Sequence, residues 1–360
     1  MVKDAVRHAA GSRWGKHNWR RLKRWIDGER FADLDPRLAI FWERTPPEEW
    51  DMLTKSYDDT TPLPADAHAE LRADHPRLRE LRSRYRAAAL DAAGPWTERR
   101  LEGDLNLAYF RGDSPYVWQY RDLPRATRLK FFLFAQYVRE RDHTGLLEEL
   151  GEDGAFGCWT YRYPNMAPVS RDLLDSVNEL LFLDRNIGIL DRPGLRILDI
   201  GAGYGRLAWR TAQAVDGLTD YCCVDAIAES TFLCEYYLHH RGVVPPARVL
   251  PFDKAEAALE NERFDLVVNV HSFSECSFDS VAEWCEKLER IQAPYFFIVP
   301  NHDERFLSIE PDGSRRDFRP LIEKAGYELV ASEPVLDDDA VRELVGVNDY
   351  FHLFKLRSAD

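Results

Sequence analysis

The chain reads as an α/β protein, with a doubly wound, Rossmann-like sheet of seven strands behind a mainly helical N-terminal domain. Three observations predict this. A short apolar run, Leu195-Arg-Ile-Leu-Asp-Ile200, passes through Gly201, Gly203 and Gly205 straight into a helical pattern. From Ile197 onward, strand-like and helix-like stretches alternate regularly. Residues 1 to about 165 carry helical spacing and proline punctuation but no such alternation. The spacing therefore divides the chain into an N-terminal part, 1–165, and a sheet-bearing part, 166–360.

In the first part, Leu71, Leu78, Leu81 and Tyr85 recur near helical spacing within His68–Leu90. A second helix is expected over about Ala126–Arg141, where Leu129, Phe132, Leu133, Phe134, Ala135 and Val138 cluster. Between them Tyr109–Tyr120 mixes rings with polar groups. Such a mixture lines sugar sites, and it equally suits a core segment under a helical layer. A lid, an acceptor platform or an oligomerisation surface is the expectation for this domain. Next comes a loop-like link, after which Ser170 is a fitting N-cap for a helix Arg171–Leu183, with Asp172 in its first turn suiting the helix dipole.

Pro193-Gly194 bounds the first strand, which is too short for a buried helix. Glycines at the following turn allow tight bending and let a backbone approach a ligand without a Cβ in the way. A second strand, Thr219–Val224, ends in Asp225, at the distance from the glycine loop where an acid meets ribose hydroxyls. The helix Ala228–His239 and a third strand, Ala247–Pro251, lead to Phe252-Asp253-Lys254. Strand four, Phe264–Val270, runs into His271-Ser-Phe-Ser-Glu275. The helix Ala282–Arg290 precedes strand five, Pro294–Val299, which ends at Asn301-His302. A helix Asp317–Ala325, with Gly326 as C-cap, leads to Tyr327–Ala331, and Tyr350–Leu356 is a last, antiparallel strand. The acidic run Asp337–Asp339 reads as a solvated loop or a helix start rather than a metal site.

Composition narrows the function. The 360 residues are 45% hydrophobic and 31% charged, with 10 Trp and 19 Phe, which describes a globular protein with ample core material. A net charge of -14 argues against a nucleic-acid partner, because phosphate needs positive potential. The basic stretch within the first thirty residues (Arg13, Lys16, Arg20, Arg21, Lys23, Arg24) reads as a solvated amphipathic arm. The six cysteines show no CxxC spacing and read as core thiols of a reducing cytosol. No apolar run approaches a membrane span and no signal-peptide core opens the chain, so a cytoplasmic protein is expected. Homo-oligomerisation is left open.

The dinucleotide fingerprint GxGxxG would require glycine at 206, where the chain has Arg206. The pattern Asp199-x-Gly201-x-Gly203-x-Gly205 instead resembles motif I of class I S-adenosylmethionine (SAM) methyltransferases. The resemblance implies a Rossmann-like seven-stranded methyltransferase sheet. It places Gly201, Ala202, Gly203 and Tyr204 beneath the methionine part of SAM and gives Asp199 the task of orienting the loop or the amino group. Asp225 and Ala226 fall at the ribose, Asp253 and Lys254 at the adenine, and Asn269 at the end of strand four. It also places Tyr161, Tyr163, Asn165 and Arg171, around the helix before the loop, within reach of cofactor or substrate. An aromatic face there suits a sulfonium cation. Over roughly residues 75–300, Val169–Glu179, Gly201–Arg206 and His271–Glu275 are similar to the sugar O-methyltransferases of bacterial glycan and secondary-metabolite clusters, implying a sugar-containing small-molecule substrate.

Methyl transfer from a sulfonium is an in-line displacement that rewards positioning, and a sugar hydroxyl gains from a general base. His271 is the first candidate, Glu275 its orienter or a hydroxyl ligand, and His302 the second candidate; a structural role for either histidine is the alternative. Glu275, Asp279, Asp303 and Glu304 lack the paired spacing of a metal site, so no metal is expected. Strand four lacks the Asn-Pro-Pro-aromatic motif of nucleobase and amide N-methyltransferases, which lowers planar-amine acceptors and leaves an aminosugar nitrogen or a phenol open. A methyltransferase-like assembly partner without catalysis is the reading from another class.

Overall fold

The computed structural model describes residues 63–87, 96, 101, 105–112, 114–116, 124–163, 165–301 and 303–358. The basic arm, His302 and residues 117–120 of the aromatic segment lie outside them. Two helices in the expected His68–Leu90 region, the single turn α1 (Ala67–Glu70) and the longer α2 (Pro76–Ala87), flank a break, because Pro76 cannot continue a helix from the residues before it. Helix α3 is Pro124–Arg141, and α4, Leu146–Leu150, is a short addition. Ser170 caps α5 (Arg171–Ile187) by accepting from the Leu173 N–H, as its position predicts, and Gly188 ends it in the left-handed region.

The remainder is βα in rhythm: β1 (Leu195–Ile200), α6 (Arg206–Ala214), β2 (Leu218–Val224), α7 (Ala228–His240) and β3 (Ala247–Val249). After these come α8 (Phe252–Leu259), β4 (Leu266–Val270), α9 (Phe278–Ile291), β5 (Tyr295–Val299) and α10 (Arg319–Lys324). Strand β6 (Tyr327–Pro334), α11 (Asp339–Val345) and β7 (Tyr350–Leu356) close the chain. The acidic run is a helix start: Asp338 accepts from the Ala340 and Val341 N–H groups. The sheet order is β3-β2-β1-β4-β5-β7-β6, parallel except for β7, which runs antiparallel to both neighbours. The expected seven-stranded Rossmann-like sheet is present.

Alternation along the strands builds two cores. Leu195, Ile197, Leu266, Val268, Phe297, Leu353 and Phe351 face one side, where they meet α5, α6 and α7 and, in the same continuous cluster, Leu78, Leu81 and Tyr85 of α2 and Phe131–Val138 of α3. Leu198, Ile200, Val267, Phe296, Ile298 and Phe354 face the other, under α8, α9 and α10. Among the described residues no helix is long and apolar enough to cross a membrane, and no group of three or more His, Cys, Asp and Glu is arranged to hold a metal.

Candidate functional site

The carboxyl ends of β1, β2 and β4 converge on the glycine loop, the edge at which open α/β sheets bind ligands. Gly201, at φ +79°, lies so close to the turn after β4 that a Cβ there would stand 2.2 Å from the Ser272 Cβ and Oγ. Only glycine fits. The Gly201 and Ala202 N–H groups both donate to the Val224 carbonyl, binding the loop to the end of β2. Gly205, at φ +87°, brings α6 against α7: a Cβ would meet Cys234 Sγ at 2.9 Å. The close helix contact that a dinucleotide fold assigns to glycine at 206 is thus made one residue earlier, leaving Arg206 free for an ion pair.

That pair joins two of the three sequence segments named above, Val169–Glu179 and Gly201–Arg206. Asp172, Ser176 and Glu179 lie on one face of α5, spaced i, i+4, i+7. Arg206 donates to both Glu179 oxygens at 2.8 Å and to Ser176 Oγ at 2.8 Å. The Tyr204 hydroxyl donates to Asp172, and its ring is buried beside Phe110, Tyr116 and Tyr237. Tyr204, expected at the cofactor, therefore offers a ligand its backbone only. Beneath it, Arg111 and Arg210 share Asp172 and Glu152, with all four side chains wholly buried. Phe110, Arg111 and Ser114 of the aromatic segment are buried in this core.

Asp199 stands behind the loop, 4% exposed, and accepts the Tyr221 hydroxyl at 2.9 Å. Burial pushes its carboxyl up to about 7, against the lowering effect of Tyr221 and Arg206. It supports the sheet edge and does not meet the loop N–H groups. Asp225 does: one oxygen accepts from the Gly203 N–H at 2.9 Å and the other from the Ile227 N–H at 2.8 Å. Burial raises this carboxyl to about 6, and the two N–H groups oppose the rise. The Ser230 hydroxyl also meets this carboxyl, and the acceptor capacity that remains suits a vicinal diol. Ala226 beside it is exposed.

At the next edge, Asp253 in the first turn of α8 accepts a bidentate pair from Arg84 of α2, at 2.7 and 3.0 Å, while the Tyr85 hydroxyl accepts the Phe252 N–H. Lys254 is exposed. Asn269 is fully buried, donating to the Ile200 carbonyl and accepting from the Phe273 N–H, so it ties β1 to the turn after β4. Tyr163, expected near the cofactor, is packed edge-on against Phe132 of α3 and stacked on Tyr161, both rings buried. Arg171 pairs with Asp175 at 3.2 Å.

His271 follows β4 in the left-handed region, φ +67°, its N–H bound to the Val299 carbonyl of β5. Its Nε2 lies 3.4 Å from Asp349 Oδ2. Burial lowers its pKa, yet the Asp349 hydrogen bond and charge, with Glu275, outweigh that and raise it. Glu275, expected to orient the ring or to bind a hydroxyl, adds its charge to that rise. It accepts from Trp96 Nε1 at 2.7 Å and from Asn301 Nδ2 at 3.3 Å. Trp96 packs on Tyr116, which lies over Gly203 and shares a hydrogen bond with Ser230. Sequence reasoning missed Trp96 and Asp349 and reached Tyr116 and Ser272 only within the segments Tyr109–Tyr120 and His271–Glu275; the signal for Asp349 was its place just before an antiparallel strand.

No protein-family profile matches the chain, and no curated protein matches it. Among solved structures it is similar to the [4+2]-cyclase SpnF, at 15% identity over 53% of this chain and 84% of that one, with a TM-score of 0.40. It is similar to a SAM-dependent methyltransferase from Aquifex aeolicus, at 18% identity over 49% and 88%, with a TM-score of 0.38. The CcbJ methyltransferase from Streptomyces caelestis gives 14% identity over 51% and 90%, with a TM-score of 0.36. The chemistry has to come from the site.

Proposed function

We propose that the chain is a SAM-dependent methyltransferase acting on a hydroxyl of a sugar-containing small molecule: a nucleotide sugar, a glycan or a glycosylated natural product. The observation that carries the proposal is Asp225, which braces the glycine loop through Gly203 while presenting two acceptor oxygens at the carboxyl edge of the sheet. The residues fit the cofactor: diol acceptors at Asp225, a loop that tolerates no side chain at Gly201, and the rings of Trp96 and Tyr116 near that loop. When bound, SAM supplies an electrophilic methyl on a sulfonium.

The chain's own residues then hold the acceptor. Across the edge, His271 receives the hydroxyl proton, and Glu275, anchored by Trp96 and Asn301, accepts from neighbouring hydroxyls. A carboxylate and amide beside an aromatic ring suit a polyhydroxyl ligand. Residues 1–165 serve as lid and acceptor platform of the 166–360 unit. The six free cysteines fit a reducing compartment such as the cytoplasm.

The test is calorimetric titration with S-adenosylhomocysteine. Wild type should bind, and Asp225→Ala should weaken binding at least about tenfold, the scale of a lost charged hydrogen-bond pair. No binding by wild type would reject the cofactor assignment and leave a methyltransferase-like assembly partner. Cofactor binding with transfer to amine but not hydroxyl acceptors would overturn the sugar hydroxyl.

A further inference from the structure

We infer that Asp349 is the positioning residue of His271: it holds the Nε2 proton, so that Nδ1 is the atom that accepts a proton from the acceptor. The inference rests on the proposed methyl transfer for its catalytic meaning, and on geometry for its substance.

The topology makes the pairing. The six strands other than β7 share one direction and end at the ligand-binding edge, and His271 leaves β4 there. Strand β7 runs the other way, with Ile298 opposite His352 and Tyr295 opposite Lys355, so it begins at the edge where β5 ends. The residue before it, Asp349, is therefore delivered to the same edge. Its backbone is fixed, because its carbonyl accepts the Val335 N–H beside the β6–β7 pairing of Pro334 with Tyr350. His271 is fixed as firmly, by its N–H on Val299 and a left-handed backbone that a non-glycine residue keeps only where its surroundings impose it. Two anchored backbones bring Nε2 and Oδ2 to 3.4 Å.

A carboxylate beside one imidazole nitrogen fixes the tautomer. The nitrogen facing it carries the proton, and the other keeps its lone pair. In the transfer, Nδ1 takes the acceptor's O–H proton as the C–O bond forms and the S–CH3 bond breaks, and the imidazolium that results faces the Asp349 charge. The other charged groups near the ring act in both directions. Glu275 after β4 favours its protonation, Arg171 on α5 opposes it, and Glu179 on α5 is within electrostatic reach. The net upward shift agrees with a dominant carboxylate partner.

The test is NMR titration of the His271 ring in the full chain, without cofactor, for wild type, Asp349→Asn and Asp349→Glu, with thermal melts as a control on folding. The expected result is a His271 pKa that falls in Asp349→Asn and recovers in Asp349→Glu. The wild-type ring should show the Nε2-protonated tautomer at high pH. In methyl-transfer assays, the acidic limb of kcat/KM should move to lower pH in Asp349→Asn, with a smaller loss than the ~100-fold or more expected of His271→Ala. A His271 pKa and tautomer unchanged in a folded Asp349→Asn would overturn the inference, whether or not the chain transfers methyl groups. If the titration shifts but no acceptor is methylated, the pairing stands and the proposed reaction fails.

Discussion

Arginine–carboxylate pairs hold this molecule together in two places, and the two differ in everything but chemistry. Under the glycine loop, Arg111, Arg210, Glu152 and Asp172 are wholly removed from solvent. On the outside of α2, Arg77, Arg82 and Arg84 reach Glu235, Glu229 and Asp253 with the arginine side chains 22–30% exposed. The inner set is matched charge for charge and finished with neutral donors, Ser170 on Glu152 and Tyr204 on Asp172. Such a set is costly to assemble and costlier to break, because the partner of a deleted charge stays buried. Asp172→Asn leaves two arginines facing one carboxylate. We expect it to lower unfolding free energy by about 3–5 kcal/mol in urea titration at neutral pH. A loss below about 1 kcal/mol would show that water reaches the network.

Asp199 sharpens the comparison, since it is a buried carboxylate hydrogen-bonded by a neutral phenol. The Arg111 and Arg210 charges hold Asp172 below its ordinary range despite burial, whereas burial pushes Asp199 up to about 7. The sign follows. The native state keeps the Asp199 proton between its unfolded pKa near 4 and about pH 7, and the unfolded chain does not. Its contribution to stability is therefore present at low pH and is lost as pH rises through 7. Asp199→Asn keeps an acceptor for Tyr221 and cannot ionise. Between pH 5 and 8, wild type should lose about 1–3 kcal/mol more stability than the variant. Parallel pH profiles would mean that Asp199 is already ionised.

Much of this fold was legible because it is written in local pattern. The β1 run, the Ser170 cap and the antiparallel β7 needed only periodicity, capping chemistry and the sense of the sheet. The break at Pro76 was missed at the level of boundaries, where propensity is weakest, and the helix α8 was not predicted at all. The site was legible in part. Asp225 carries its signal in its spacing from the glycine loop. Tyr204 does not, since only the burial of Asp172, Arg111 and Arg210 turns its ring inward. Glu275 and Asp349 illustrate the limit: both are acids near His271 in space, but only the neighbour in sequence could be nominated before the sheet order brought the other alongside.

The outer pairs give the smallest effect and the clearest dependence on conditions. Arg77 and Arg84 each form a bidentate pair across to the sheet-bearing unit, yet water competes for both partners. Arg77→Ala and Arg84→Ala should each cost less than about 1 kcal/mol, a cost that fades as salt shortens the screening length. The apolar face of α2, with Leu78, Leu81 and Tyr85 buried, continues to hold the helix in place. Arg84→Ala has a second consequence, because Asp253 is the acid expected at the adenine and Arg84 occupies both its oxygens. If Arg84 competes with the ligand, the variant should bind S-adenosylhomocysteine more tightly, by a few-fold at low ionic strength and less at high salt. Weaker binding, independent of salt, would instead assign the arginine to holding Asp253 in its binding geometry.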